Sequence, residues 1–145
     1  MTGISRRDLS VPLVAAFLRT GPATTSQATL STSKVLSPDR LPATTSANGG
    51  KRWNLLQGVL ATGEAIAVHE SLQPAGMLPN PPHTIQHSEL ILVEEGTLLF
   101  EHDGQSEKVG AGGAILVAPG TRHAARNVGD QPAKYLVVAI GGDTG

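Results

Sequence analysis

Short apolar runs alternate with turn residues along the chain from Trp53 onward. The runs have four to eight residues, each is bounded by Gly, Pro or Asp, and no helical period is sustained. This pattern is typical of an all-β protein. It predicts eight strands, at 53–60, 65–72, 88–93, 97–101, 105–109, 114–117, 123–127 and 134–140. Eight strands in about 90 residues favour a two-sheet sandwich or a jelly-roll barrel.

Two details refine the pattern inside this body. The pair Asp103-Gly104 predicts a tight hairpin between the strands at 97–101 and 105–109, because these residues readily adopt the positive φ that such a turn requires. The runs 115–117 and 136–138 are apolar without alternation, so we expect those two strands to be covered on both faces.

The segments outside the body lack this strand pattern. Residues 29–52 are rich in Ser, Thr and Pro and have no sustained period, which predicts a linker or an N-terminal arm. The body is expected at 53–141 and a short C-terminal tail at 142–145. Trp53, where the arm meets the body, is expected to cap the barrel, and burial of its ring would tie the arm to the body.

Residues 1–28 have the layout of an export leader. Arg6 and Arg7 precede an apolar stretch at 11–18, and Ser26 with Ala28 offers a small-residue cleavage site. The layout resembles the twin-arginine signal peptide of bacteria, which would place the protein in the periplasm or outside the cell. If the leader is not used, the protein would stay in the cytoplasm and the segment would be a tail with a short helix.

Composition limits the classes of partner. A length of 145 residues predicts one folded domain with a tail. The 11 Lys and Arg against 12 Asp and Glu give no basic surplus, so we expect neither nucleic acid nor an anionic membrane surface as a partner. No apolar run approaches the length of a membrane span, so no stable membrane anchor is expected. The chain has no Cys, so any metal must be held by His and carboxylate side chains.

Two motifs with defined spacing lie in the body, at 76–96 and 112–127. Their matching positions are His83, Glu89, Gly96, Gly112, Gly120, His123 and Asn127. They resemble the two motifs of the cupin superfamily, and the likeness extends over about 56–140, in the manner of a small single-domain exported bacterial cupin. The resemblance implies a double-stranded β-helix, a jelly-roll barrel, and a homodimer, which would also protect sheet edges.

The resemblance also implies a metal site with one departure. Ile85 stands where the first motif usually has a second His, so the usual three-His, one-Glu set is reduced to His83, Glu89 and His123, and the extra His87 could restore the number. Imidazoles with a carboxylate and no thiolate suit a divalent transition metal, namely Mn, Fe, Ni, Cu or Zn. The alternative is a polar cluster at the barrel mouth without a metal, with His87 pointing outward.

Strand geometry constrains how these side chains could meet. In one straight strand, at ~3.3 Å per residue, His83 and Glu89 would lie about 20 Å apart. A shared site therefore requires the chain to bend between Pro82 and Ser88, as a bulge at a barrel rim would allow. His87 and Glu89 share a strand face without a bend, and His123 must arrive from a neighbouring strand.

Three functions stay open on the sequence alone. The first is a mononuclear metalloenzyme acting on a small polar substrate, with His69 or His87 as a candidate proton carrier. The second is a non-catalytic module that binds a small ligand in the barrel mouth. The third is a decayed metal site in a protein with a structural or dimerisation role. We expect His102 to be a solvated turn residue and Asn127 to bond backbone groups in a turn.

Overall fold

The computed structural model describes residues 27–142, which form two β-sheets and a single 3₁₀ turn at Pro38–Arg40. The first 26 residues of the expected leader and the last three of the expected tail lie outside this range. No helix among the described residues has the length and apolar character needed to span a membrane. The strands are β1 Thr29–Leu30, β2 Thr44–Thr45, β3 Lys51–Leu60, β4 Ala65–Gln73, β5 His83–Thr84, β6 Ser88–Glu95, β7 Thr97–His102, β8 Gln105–Gly110, β9 Ala114–Val117, β10 Arg122–Asn127 and β11 Ala133–Ile140.

The larger sheet has the strand order β1-β3-β4-β11-β6-β9, with β2 beside β3, and the smaller sheet has the order β5-β10-β7-β8. This is the two-sheet, all-β jelly-roll architecture that the sequence pattern predicts. All eight predicted strands are present, and each boundary lies within two residues of its prediction. The three additional strands, β1, β2 and β5, have two residues each, which is too short to produce a visible alternation.

The arm is attached to the body by backbone pairing. Strand β1 runs parallel to the end of β3, where Leu30 pairs with Leu60, and β2 pairs with the start of β3. Trp53 is half-buried and lines a groove together with Pro38 and Asp39 of the arm and Lys134 of the body. The expectation that Trp53 caps the barrel is wrong, because it lines this groove and not the cavity between the sheets.

The core lies between the two sheets. Its members are Ile85, Ile91, Val93, Leu98, Phe100, Ile115, Val117, Ala133, Tyr135 and Val137. Strand β9 alternates, since Ile115 and Val117 are buried whereas Leu116 is 73% exposed, and the expected two-faced burial is therefore wrong there. The reason is position, because β9 is the edge of the larger sheet. In β11, which lies between β4 and β6, the outward Leu136 and Val138 are half-buried.

Two local features shape the end of the barrel that carries the cavity. Asp103 and Gly104 both have positive φ, at 48° and 76°, which confirms the predicted hairpin between β7 and β8. Between β5 and β6 the chain crosses from the smaller sheet to the larger one, and Ile85 packs into the core at the crossing. The bend that a shared site requires between Pro82 and Ser88 is therefore present.

Candidate functional site

A cavity of about 340 Å³ opens between the two sheets. The loops before β3 and β5 form its mouth, where the side-chain amide of Asn48 donates to the carbonyl of Leu78 at 2.9 Å and to Oδ1 of Asn80 at 2.9 Å. Polar side chains on its walls come from both sheets and include His69, Ser71, Gln73, His83, Glu89 and His123. The cavity thus combines apolar side chains with polar groups that are distributed along the strands from Glu89 to Gln73.

The bend after β5 brings His83 and Glu89 to one place from different sheets. His83 on β5 is the direct register partner of His123 on β10, and the two imidazole ring centroids lie 4.6 Å apart. Glu89 reaches the same point from β6 in the larger sheet, where it pairs with Val117. His123 therefore neighbours the strand of His83, as expected, but it faces Glu89 from the opposite sheet.

His123 is the most enclosed of these side chains, at 3% exposure. Its Nδ1 lies 3.1 Å from the carbonyl oxygen of Thr121, which can only accept, so Nδ1 carries the proton and Nε2 presents a lone pair. Nε2 lies 3.8 Å from Oε2 of Glu89. Burial is the main cause that lowers the pKa of His123, with the charges of His83 and His87 acting in the same direction against the Thr121 hydrogen bond and Glu89. The neutral imidazole is the form that binds a metal.

Glu89 lies between two imidazoles. Its Oε1 is 3.2 Å from Nε2 of His87, and its Oε2 is the oxygen nearest to His123. The side chains of His87 and Glu89 are each 13% exposed, so His87 does not point outward into solvent. The structure thus brings all four expected metal-site residues together, in three pairwise contacts.

The donor types in this cluster fit a divalent transition metal, because three imidazoles and one carboxylate are ligands that such ions prefer. A histidine that binds a metal commonly donates its other ring N–H to a carbonyl or carboxylate oxygen, and His123 makes this hydrogen bond to Thr121. Across residues 27–142, however, no three His, Asp or Glu side chains are arranged to hold a metal ion. The side chains instead contact one another at hydrogen-bond and ion-pair distances. Ile85 has a hydrocarbon side chain without a donor atom, and it packs into the hydrophobic core.

The two remaining histidines differ in surroundings. His69 on β4 lines the cavity, and burial, aided by the charge of Arg52, lowers its pKa to about 4, so it is neutral near pH 7. His102 ends β7 and does not line the cavity. Hydrogen bonds first to Glu107 and then to Asp103 raise the pKa of His102. The expectation of a solvated turn residue is met only in part, because the side chain is 23% exposed and its ring stacks on Phe100 with the centroids 4.8 Å apart.

Gln73 is a site-wall residue that sequence reasoning missed. It is 3% exposed, and its Nε2 donates to the hydroxyl of Tyr135 at 2.9 Å and to the carbonyl of Ala125 at 3.1 Å. Its Oε1 accepts from the backbone N–H of Asn127 at 2.8 Å, so one amide joins the two sheets. The Asn127 side chain donates to the carbonyls of Gln73 and Gln131, which confirms its expected structural role. A single Gln at a strand end carries no sequence signal for this position.

Comparison with known proteins identifies the fold. The family model described as Cupin domain matches residues 68–139. None of the curated proteins matches the sequence. Among solved structures, an RmlC-like cupin from Shewanella frigidimarina is similar at 20% identity and a TM-score of 0.62, covering 77% of this chain and 95% of that chain.

Two further structures have enzyme descriptions. A predicted oxalate decarboxylase from Thermotoga maritima has 17% identity and a TM-score of 0.60, covering 74% of this chain and 98% of that one. The polyketide cyclase RemF from Streptomyces resistomycificus has 22% identity and a TM-score of 0.61, covering 79% and 83%. At these identities the likeness establishes the fold alone.

Proposed function

We propose that this chain, whose residues 68–139 match the family model described as Cupin domain, is a cupin and a mononuclear metalloenzyme acting on a small polar substrate. The proposed metal ligands are His83, His87, Glu89 and His123. The observation that carries the proposal is the state of His123, which is buried, locked by Thr121 into one tautomer, and directed through Nε2 at a carboxylate. That arrangement prepares a lone pair for a cation.

In this proposal His87 and His69 have different roles near the metal. A bound divalent metal would supply a Lewis acid or an oxygen-activating centre. His87, which shares Glu89 with His123, replaces the ligand that Ile85 removes. His69 lines the same cavity, and its pKa of about 4 keeps it neutral near pH 7, so it is a weak base that can accept a hydrogen bond from a bound substrate. We therefore assign the ligand role to His87 and a substrate-positioning role to His69.

A second function, a cupin that binds a small ligand without turnover, is favoured by two observations. Ile85 is part of the core, so the usual set of ligands is incomplete. Among the described residues the donors are not arranged around a common point. The cavity would then hold a small molecule through its polar walls. If it held neither a metal nor a ligand, the site would be a decayed one in a protein with a structural role.

Elemental analysis of protein purified without chelators tests the metal proposal. We expect about one equivalent of a transition metal in the wild-type protein and a loss of most of it in His123→Ala. His102→Ala is the matched control, because that imidazole lies outside the cavity, and it should retain the metal. Absence of metal from the wild-type protein would reject the proposal. Dioxygen consumption and turnover screening of the metal-loaded protein then separate an enzyme from a binding protein.

We also propose a homodimer formed through the larger sheet. Its outer face exposes Leu116 at the edge strand β9 together with Leu92 and Ile140 on the adjoining strands. Apolar side chains of this size on one sheet face and an unpaired edge both favour association. Light scattering of a concentration series should give the mass of a dimer, and a monomer at all working concentrations would contradict the proposal.

Export to the periplasm or the medium is proposed on the layout of residues 1–28, which is similar to a twin-arginine leader. Cleavage after Ala28 would leave β1 intact, since that strand begins at Thr29. The intact mass of protein recovered from the periplasm or medium tests this proposal. A mass that starts at Thr29 would support it, and full-length protein confined to the cytoplasm would contradict it.

A further inference from the structure

We propose that the cavity selects a small monocarboxylate, and that Arg52 is the residue that binds it. The inference rests on the proposed function only in placing a small ligand in this cavity, and it adds the chemical class of that ligand. Arg52 lines the cavity beside His69 and Ser71, yet it belongs to neither of the sequence motifs and to no part of the proposed metal site.

The sheet register places Arg52 within a patch of polar side chains on the inner face. Arg52 on β3 pairs with Ser71 on β4, and Ser71 pairs with Tyr135 on β11. Paired residues of neighbouring strands project from the same face, so these three side chains form one row across the sheet. Asn54 and His69 form the next row, one step deeper along β3. The patch therefore supplies one permanent cation with hydroxyl and imidazole groups on the same wall.

The guanidinium of Arg52 is oriented but not neutralised. Its Nε donates to Oδ1 of Asn54 at 2.8 Å, which fixes the plane of the group. Within residues 27–142 no carboxylate oxygen lies within 4 Å of this guanidinium, and its terminal nitrogens have no recorded hydrogen bond. A guanidinium held by Nε presents the remaining donors as a fork, which matches the two oxygens of a carboxylate.

The charge distribution favours a monoanion. Lys51 adds a second cation at the cavity mouth, while Glu89 adds one negative charge to the cavity wall. The ion-pair contacts of Glu89 go to His87 and His123, so Glu89 acts on Arg52 only as a charge at longer range. Arg52, Lys51 and Glu89 together leave one net positive charge on the cavity wall, which a carboxylate with one charge neutralises. A phosphate dianion would leave one negative charge uncompensated in the cavity, and burying such a charge is costly.

The test is a titration of the ¹⁵N-labelled full chain, stripped of metal, with butyrate, with its neutral isostere butyramide and with methyl phosphate. We expect butyrate to shift the amide resonances of Asn54 and Ser71 saturably, and butyramide to bind at least about tenfold more weakly. Arg52→Gln should weaken butyrate by about tenfold or more, and Arg52→Lys should recover part of the affinity because it keeps the charge but not the fork. Lys108→Gln, which removes an equal charge at an exposed position on β8, should change the affinity less than twofold.

The outcomes separate this inference from the metal proposal. Equal binding of butyrate and butyramide, or tighter binding of methyl phosphate, would overturn the carboxylate assignment while leaving the metal question untouched. If butyrate bound only after one equivalent of Zn²⁺ had been added, and Arg52→Gln did not change that binding, the metal and not Arg52 would be the anion site. Butyrate binding in the metal-free protein that Arg52→Gln abolishes would support the inference even if the protein never binds a metal.

Discussion

Replacing Gln73 by Met tests whether one buried amide holds the two sheets together around the cavity. Met has a similar length and an adaptable chain, so the substitution removes hydrogen bonds with little change in packing volume. The wild-type side chain makes its three hydrogen bonds with Tyr135 in the larger sheet and with Ala125 and Asn127 in the smaller one. All three are lost in the variant.

The expected magnitude follows from this count of bonds. A neutral hydrogen bond contributes about 1 kcal/mol net, so the loss of three predicts a decrease of about 3 kcal/mol in the free energy of unfolding. The substitution is expected to destabilise the protein because the Asn127 N–H loses its acceptor, and an unsatisfied buried group costs about 1–3 kcal/mol. The Tyr135 hydroxyl loses one of its two side-chain partners and keeps Ser71.

Urea unfolding followed by far-UV circular dichroism measures this decrease. Gln57→Met is the matched control, because Gln57 is exposed on β3, and it should change the free energy of unfolding by less than about 0.5 kcal/mol. If Gln73→Met were no less stable than the control, the amide would not join the sheets, and the reasoning from its contacts would be refuted.

Three other substitutions test the pH response, the backbone and the core. Burial lowers the pKa of His69 from 6.5 to about 4, so between pH 6.5 and 4 the imidazole is protonated in the unfolded chain but not in the folded protein. The free energy of unfolding should therefore fall as the pH drops through this range, and it should fall less steeply in His69→Gln. A Cβ at Gly96 would lie 2.7 Å from the Cα of Ala133, so Gly96→Ala should cost about 2 kcal/mol or more in urea unfolding, and more than Gly104→Ala, which has the same positive φ but open space. Leu98 is 0% exposed, and Leu98→Ala should lower the free energy of unfolding by about 3–4 kcal/mol; a loss below about 1 kcal/mol would contradict its place in the core.

The sequence was sufficient to predict the eight longer strands because each of them has its own apolar pattern. The eight predicted strands rest on apolar runs ended by Gly, Pro or Asp, and those residues stop a strand wherever it lies in the fold. The two wrong predictions, for Leu116 and Trp53, depend on which parts of the fold lie beside these residues, and a local sequence pattern carries no information about that. Leu116 is exposed because β9 is an edge strand, and Trp53 packs beside Pro38 because the arm crosses the body there.

The site could be predicted only where a motif spans it. The spacing of the two motifs was enough to select His83, Glu89 and His123, and His87 was added only as a nearby histidine. The structure places these four side chains in one cluster. Arg52 and Gln73 were missed because they enter the cavity wall through strand register, which is a property of the folded sheet. Arg52 is the register partner of Ser71, but nothing in the local sequence of β3 states that pairing.

The ring nitrogens of the histidines report most directly on whether these four side chains bind a metal together. A long-range ¹H–¹⁵N spectrum of metal-free protein should show His123 protonated at Nδ1 and unprotonated at Nε2, as its hydrogen bond to Thr121 requires. One equivalent of Zn²⁺ should then shift the Nε2 resonance of His123 together with ring resonances of His83 and His87, and leave His102 unchanged. A spectrum in which Zn²⁺ leaves His123 unmoved, or moves only His102, would contradict the proposed metal site.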